Sequence, residues 1–273
     1  MNSVSQIMAQ DLTNKEQITL IKQGEIVAIK LPSQNKQESN RLQWQRIIDN
    51  FKVRLRKIER SWQVGTKVQI NSQDRLLDTR QLNELENILE KVGLVVELII
   101  TRRRQTAVAA ASSGYSVQQE SPLVQTSSSF EDSFNQDLAE PLYLKNTIRS
   151  GVEIYHPSTI IIMGDVNPGA TIIAHGDILI CGNLKGVAHA GAAGNYEAVI
   201  MALKMQPTQI RIADLVARAP SQPPEQYITE IAYVSSEGIK IHVASNFYRY
   251  HEFLKQTNYW QAKNQGKFKL KNA

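Results

Sequence analysis

From Ile160 to Ala190 an apolar residue returns at every sixth position: Ile160, Val166, Ile172, Ile178, Leu184 and Ala190. This period belongs neither to an α-helix nor to an ordinary hairpin. A second register, four residues on, holds only small residues (Gly164, Ala170, Gly176, Gly182, Ala188), so each six-residue unit offers one aliphatic and one tight corner. Flat faces alternating with small corners are the pattern of a parallel β-helix, whose stacked coils bury a continuous aliphatic column. The pairs Gly164-Asp165, Gly176-Asp177, Gly182-Asn183 and Gly194-Asn195 read as turns. If three faces close one coil, residues eighteen apart stack. Ile160 then lies over Ile178, Val166 over Leu184 and Asp165 over Asn183, like upon like.

The chain of 273 residues has room for two domains, and its charge divides it further. Residues 1–104 hold 18 Lys and Arg against 12 Asp and Glu; residues 105–140 hold none against 5. Residues 141–245 are nearly balanced, and residues 246–273 hold 6 against 1. A nearly neutral repeat region argues against a nucleic-acid groove along it. The acidic stretch 105–140 also carries eight serines and no sustained period, and it is expected to be a flexible linker. No apolar run approaches the ~20 residues of a membrane span, and the first residues do not form a secretory signal, so a cytoplasmic protein is expected.

The segment before the linker reads as a small mixed α/β domain. Residues 17–22 and 26–31 flank Gln23-Gly24-Glu25 as a short hairpin. Trp44, Ile47, Ile48, Phe51, Leu55, Ile58 and Trp62 form one helical stripe, with Lys52, Arg54, Arg56, Lys57 and Arg60 largely off it. Such a basic helix can meet a membrane or an acidic partner, but two tryptophans on the stripe favour a core helix with a solvated back. Val68 and Ile70 then mark a strand, Leu82, Leu85, Leu89 and Val92 a second helix, and residues 94–100 a buried strand entered through Gly93. Arg102 to Arg104 read as a solvated boundary into the linker. Beyond residue 245, seven of the eighteen aromatics lie among cations. They either cap the end of the β-helix, form a disordered tail, or meet an anionic surface.

Catalytic motifs are thin. The chain has no P-loop, nucleophile elbow, HExxH or dinucleotide fingerprint. A hexapeptide-repeat acyltransferase is the enzyme alternative, since it shares the six-residue unit and needs a histidine base, but His175 and His189 fall in different phases of the repeat. His156, His175 and His189 lack metal-ligand spacing, and Cys181 reads as a small apolar residue on a face. The reading calls for no metal and no cofactor. A self-polymerising β-solenoid scaffold, like the bactofilins, is a third option. The entry to the repeat, Leu144-Lys145-Asn146-Thr147-Ile148-Arg149-Ser150-Gly151, offers an arginine fork beside small, approachable backbone, which suits a carboxylate on a partner protein.

The run TIRSG, then VEIYHPSTIIIMGDVNPGATIIAHGDILICGNLKGVAHAGAAG and YEAVIMALKMQPTQIRIAD, resembles the C-terminal domain of the MinC family of bacterial septum-site-determining proteins. The likeness spans about residues 143–214. It implies a dimerising β-helix that binds the membrane-associated ATPase MinD, attached to a small α/β domain that opposes assembly of the tubulin-like division protein FtsZ. It implies a protein without catalytic residues or cofactors, a homodimer through its C-terminal domain, that reaches the inner face of the cell membrane only through MinD. Arg149, Ser150 and Gly151 match the family's Arg-Ser-Gly-Gln surface for MinD; the fourth position departs, with Val152 in place of Gln. Lys22 and Gly24 match a Lys-x-Gly near the first hairpin, on the side assigned to FtsZ. The expected boundaries are an α/β domain at 1–104, the linker at 105–140, a short three-faced β-helix at 141–245 and a basic aromatic tail at 246–273.

Overall fold

The computed structural model describes residues 17–23, 25–34, 40–58, 62–120, 140–218 and 228–263. They fall into two compact units: the described residues up to 120 together with Glu153–Tyr155, and the described residues from 140 onward apart from those three.

In the first unit, β1 (Thr19–Gln23) and β2 (Ile26–Lys30) form the expected antiparallel pair. Three crossovers follow: α1 (Asn40–Ile58) leads to β3 (Thr66–Gln73), α2 (Thr79–Glu90) to β4 (Leu94–Thr101), and α3 (Arg104–Ser112) to β5 (Ser116–Gln119). β2 to β5 are parallel and lie side by side in chain order. A crossover helix is the usual link between neighbouring parallel strands, and three in succession give an α/β unit. Trp44, Ile47, Ile48, Phe51 and Leu55 of the α1 stripe are buried, while Trp62 lies beyond the helix and its indole N–H donates to the Val92 carbonyl, 3.2 Å. Asp78 and Gln81 form a reciprocal capping box that starts α2. Arg75 is wholly buried; its Nε donates to the Pro32 carbonyl at 2.8 Å, and its Nη2 to the Ser33 carbonyl and Gln43 Oε1.

The linker does not begin at residue 105. Residues 104–112 are helical and residues 116–119 form a strand paired in parallel with β4. Alanine loses no side-chain entropy in a helix, and Thr106, Ala107, Ala110 and Ala111 recur at helical spacing on a buried face, so a segment poor in large apolar residues still folds. The Arg102–Arg104 run is likewise structural: Arg102 pairs with Asp74 and Glu120, and Arg103 Nε donates to the Asp74 carbonyl. The rest of the expected linker, 121–139, lies outside the described residues.

The second unit is built of short strands: β6 (Leu142–Leu144), β8 (Ile160–Ile162), β9 (Thr171–Ala174), β10 (Ile178–Leu184), β11 (Val187–Ala190), β12 (Ile200–Met205) and β13 (Gln209–Ile212); β7 (Glu153–His156) lies between β6 and β8 in the chain, and its residues 153–155 group with the first unit. β6, β8, β10 and β12 form one parallel ladder, and β9, β11 and β13 run through a second. Single parallel bridges join Ile148 to Val166 and Val166 to Leu184 in a third line. Ile178 pairs with Ile160 and Leu184 with Val166, the eighteen-residue offset of the sequence pattern. Asn183 donates from both its backbone N–H and Nδ2 to Asp165 Oδ1, at 2.7 and 3.1 Å, so the third expected stack forms too. All six aliphatic positions of the period are fully buried. The small register is required by close approach: a Cβ on Gly182 would stand 2.3 Å from the Gly164 carbonyl oxygen. After Gly191-Ala192-Ala193-Gly194 the offset lengthens to twenty-two, with Ile178 against Ile200 and Val187 against Gln209.

Antiparallel strands end both ladders. β14 (Leu215–Ala217) pairs with β13, and β15 (Glu230–Ser235) pairs with β12 and then with β16 (Gly238–Val243). The chain after 245 is no free tail within the described residues. The single turn α4 (Phe247–Tyr250) precedes a hairpin of β17 (His251–Leu254) and β18 (Tyr259–Ala262). Phe247 and Trp260 are buried with Val199, Ile231 and Tyr233, and the Trp260 indole donates to the Glu197 carbonyl at 3.1 Å. Of the three readings, a packed cap describes residues 247–262; the basic end beyond 263 lies outside the described residues.

Candidate functional site

The turn between β6 and β7 presents the arginine. Leu144 and Ile148 are buried and hold the segment at both sides, leaving Arg149, Ser150 and Gly151 exposed between them and the buried Val152. Gly151 has φ +83°, a left-handed conformation that a side chain would strain, and its N–H donates to the Gly169 carbonyl of the next repeat at 2.9 Å. The Val152 N–H closes the turn on the Arg149 carbonyl, 3.2 Å. A Cβ at Gly169 would approach Ser150 Oγ to 2.5 Å, so the two turns are seated on each other. The result is a planar five-donor cation on a backbone fixed at both ends, a fork preorganised for a carboxylate. Val152 is 8% exposed. Its side chain packs inward, and the fourth position of the motif therefore offers nothing to a partner.

Lys22 lies exposed on β1, opposite Val27 of β2. Gly24 lies outside the described residues. Lys22 and the Arg149 turn belong to different units.

The histidines are structural in their contacts. His156 is buried with Nε2 at 3.0 Å from the Glu140 carbonyl, and His189 Nε2 lies 2.8 Å from the Ala213 carbonyl. Burial pushes the pKa of His175 down. Among the described residues no group of three or more His, Cys, Asp or Glu is placed to hold a metal ion, and no helix is long and apolar enough to cross a membrane. Cys181 is exposed on β10.

Two Gly-Asp turns differ in their electrostatics. Asp165 is held below the usual carboxylate range, first by the Asn183 backbone N–H, then by the Asn183 side chain, and last by nearby Lys185. Asp177 is pushed up by burial, a shift partly offset by the Val199 N–H that its Oδ1 accepts at 3.0 Å.

Residues 142–245 match the family of the septum formation inhibitor MinC, C-terminal domain. Three relatives are each described as a probable septum site-determining protein MinC. The one from Nostoc sp. is 42% identical over 90% of this chain and 67% of its own. That from Gloeobacter violaceus is 46% identical over 76% and 74%, and that from Thermosynechococcus vestitus 51% identical over 67% and 68%. Among solved structures, a chain of the MinC:MinD cell division protein complex of Aquifex aeolicus is 35% identical, covering 41% of this chain and 92% of that one at a TM-score of 0.37. Identity of this degree across two thirds or more of both partners, with the Arg-Ser-Gly turn and the repeat in place, makes this chain a member of the MinC family of septum formation inhibitors.

Proposed function

We propose that the chain inhibits division at wrong sites by two separate contacts: its first unit opposes FtsZ assembly, and its second is drawn to the membrane by the ATPase MinD. It works by binding, not catalysis. The parallel ladders of the second unit close into a short three-faced β-helix, with residues eighteen apart paired on two lines and β11 lying on β9 at an offset of sixteen on the other. The observation that carries the assignment is the exposed Arg149 fork, backed by Gly151 and Gly169 and matching the family motif position for position until Val152.

Self-association has its own support. The outward residues Tyr143, Ile161 and Leu179 stand in register across β6, β8 and β10, with Met163 and Leu203 exposed beside them. A row of large apolar side chains facing outward on one sheet suits a two-fold interface with a second copy. Lys22, and the hairpin on which it lies, is the proposed FtsZ side.

The test is Arg149→Ala in the full chain, assayed by ATP-dependent co-sedimentation with MinD on vesicles. Losing a charge-assisted contact across an interface costs ~2 to 5 kcal/mol, while an exposed turn arginine adds little to folding. Binding should therefore be lost with the melting temperature unchanged. Full binding by the folded variant overturns the assignment of the site.

A further inference from the structure

The register that fixes the repeat also fixes what stands beside Arg149. Ile148, Val166 and Leu184 are bridged in parallel, one on the next. The residues that follow them, Arg149, Asn167 and Lys185, must then occupy successive rungs of one line. The backbone hydrogen bonds agree: the Asn167 N–H donates to the Ile148 carbonyl at 3.0 Å, and the Lys185 N–H to the Val166 carbonyl at 2.8 Å. Arg149 and Lys185 are exposed, and Asn167 half-exposed between them. At one strand spacing per rung, the two cations are separated by roughly 10 Å.

Among the described residues neither Arg149 nor Lys185 forms a salt bridge. Asp165, which feels the charge of Lys185, accepts two hydrogen bonds from Asn183 and makes no ion pair with either cation. One rung further on the line reaches the uncharged Gln206, whose N–H donates to the Leu184 carbonyl at 2.9 Å, so the run of cations stops at Lys185. What remains is a straight, outward ridge of cation, amide and cation on rigid backbone.

We infer that the surface meeting the ATPase is this whole ridge, with Asn167 and Lys185 as further binding residues beside Arg149, and that the partner presents carboxylates in step with it across two rungs. This rests on the reading above that Arg149 faces MinD. Lys185 supplies the second charge, and Asn167 donates or accepts in the gap between the two. The ridge also accounts for a motif whose fourth position points inward: the surface continues across the repeats, from rung to rung, where it does not continue along the turn.

The experiment uses the full chain, MinD, ATP and vesicles, comparing Lys185→Glu, Lys185→Ala and Arg149→Ala with the unsubstituted protein. Lys185→Glu should weaken ATP-dependent co-sedimentation by about tenfold or more, with unchanged melting, and Lys185→Ala should weaken it less while flattening its dependence on salt. Binding unaffected by Lys185→Glu, while Arg149→Ala abolishes it, overturns the ridge and leaves the Arg149 site standing. Binding unaffected by Arg149→Ala overturns the underlying site itself. A third arm uses anionic vesicles without MinD. If Lys185→Glu reduces sedimentation there by the same factor, the lysine meets lipid and the inference fails.

Discussion

The two units of this protein both bury parallel strands, yet their sequences specify those strands in different ways. In the first unit β2, β3 and β4 are each followed by a helix, and the next parallel partner lies a whole crossover away, in a different local context. The amphipathic stripe of α1 says that a helix forms, but not which strands it separates. In the second unit a residue's neighbour is its own counterpart from the preceding repeat, Ile178 on Ile160 and Asn183 on Asp165. Along those lines the period itself is the tertiary register, while β11 meets β9 at an offset of sixteen. A repeated environment converts a sequence pattern directly into contacts, whereas a crossover conceals them.

The largest effect is expected where that register is attacked. Ile172 is fully buried, whereas Thr171 is half-exposed and contributes its N–H to the Val152 carbonyl. Ile172→Asp should unfold the second unit, because an unpaired carboxylate among stacked aliphatics costs more than ~4 to 5 kcal/mol, while Thr171→Asp should cost under about 1 kcal/mol. Circular dichroism melts of the two variants make the check. Equal losses would show that the period does not set the buried face, and the contrast drawn between the units would fall with it.

The boundary of the first unit is where the sequence was least legible. Residues 105–119 contain no large apolar stripe, and their serines and glutamines suggested a linker. What folds them is a buried face of small residues in α3 and a single valine, Val117, in β5, beside a β4 that would otherwise be an edge. Contacts of that kind depend on the neighbouring strand and leave little mark on composition. A chain ending at residue 104 should be less stable than one ending at residue 120 by ~3 to 5 kcal/mol, given the alanines and valine it loses and the strand edge it opens. Urea unfolding of the two fragments measures the difference; equal midpoints would return α3 and β5 to the linker.

At the candidate site, the exposed arginine, serine and glycine were legible because a turn at the start of the repeat can be recognised from its residue types. The inward Val152 was not, since strand phase resumes at that residue and only the fold shows on which side. The packing of the last hairpin was hidden for another reason. Trp260 reaches the Glu197 carbonyl sixty-three residues away, a contact that no period connects. Val199, Ile231 and Tyr233, which receive Phe247 and Trp260, lie after the regular repeat has ended.

The smallest effect tests how far equivalence within the repeat extends. Gly164-Asp165 and Gly176-Asp177 look alike in sequence, but Asp165 is lowered by its two Asn183 donors and Asp177 raised by burial. A carboxylate with a depressed folded pKa stabilises above its unfolded value of ~3.9, and that stability is lost as pH falls through the folded value. A carboxylate with a raised folded pKa has the opposite sign: it favours the fold in acid, and the benefit is lost as pH rises through its folded value. Asp165→Asn should therefore destabilise the protein at neutral pH, with the difference vanishing in acid. Asp177→Asn should be neutral or slightly stabilising at pH 7, since an amide oxygen can still accept from the Val199 N–H without a buried charge. Both shifts should stay within ~1 kcal/mol, because Asp165 is largely solvent-screened and the Val199 bond offsets part of the burial of Asp177. Chemical denaturation of both variants between pH 3 and 7 reads the two slopes, and slopes of the same sign would mean that the turns are electrostatically as alike as they are in sequence.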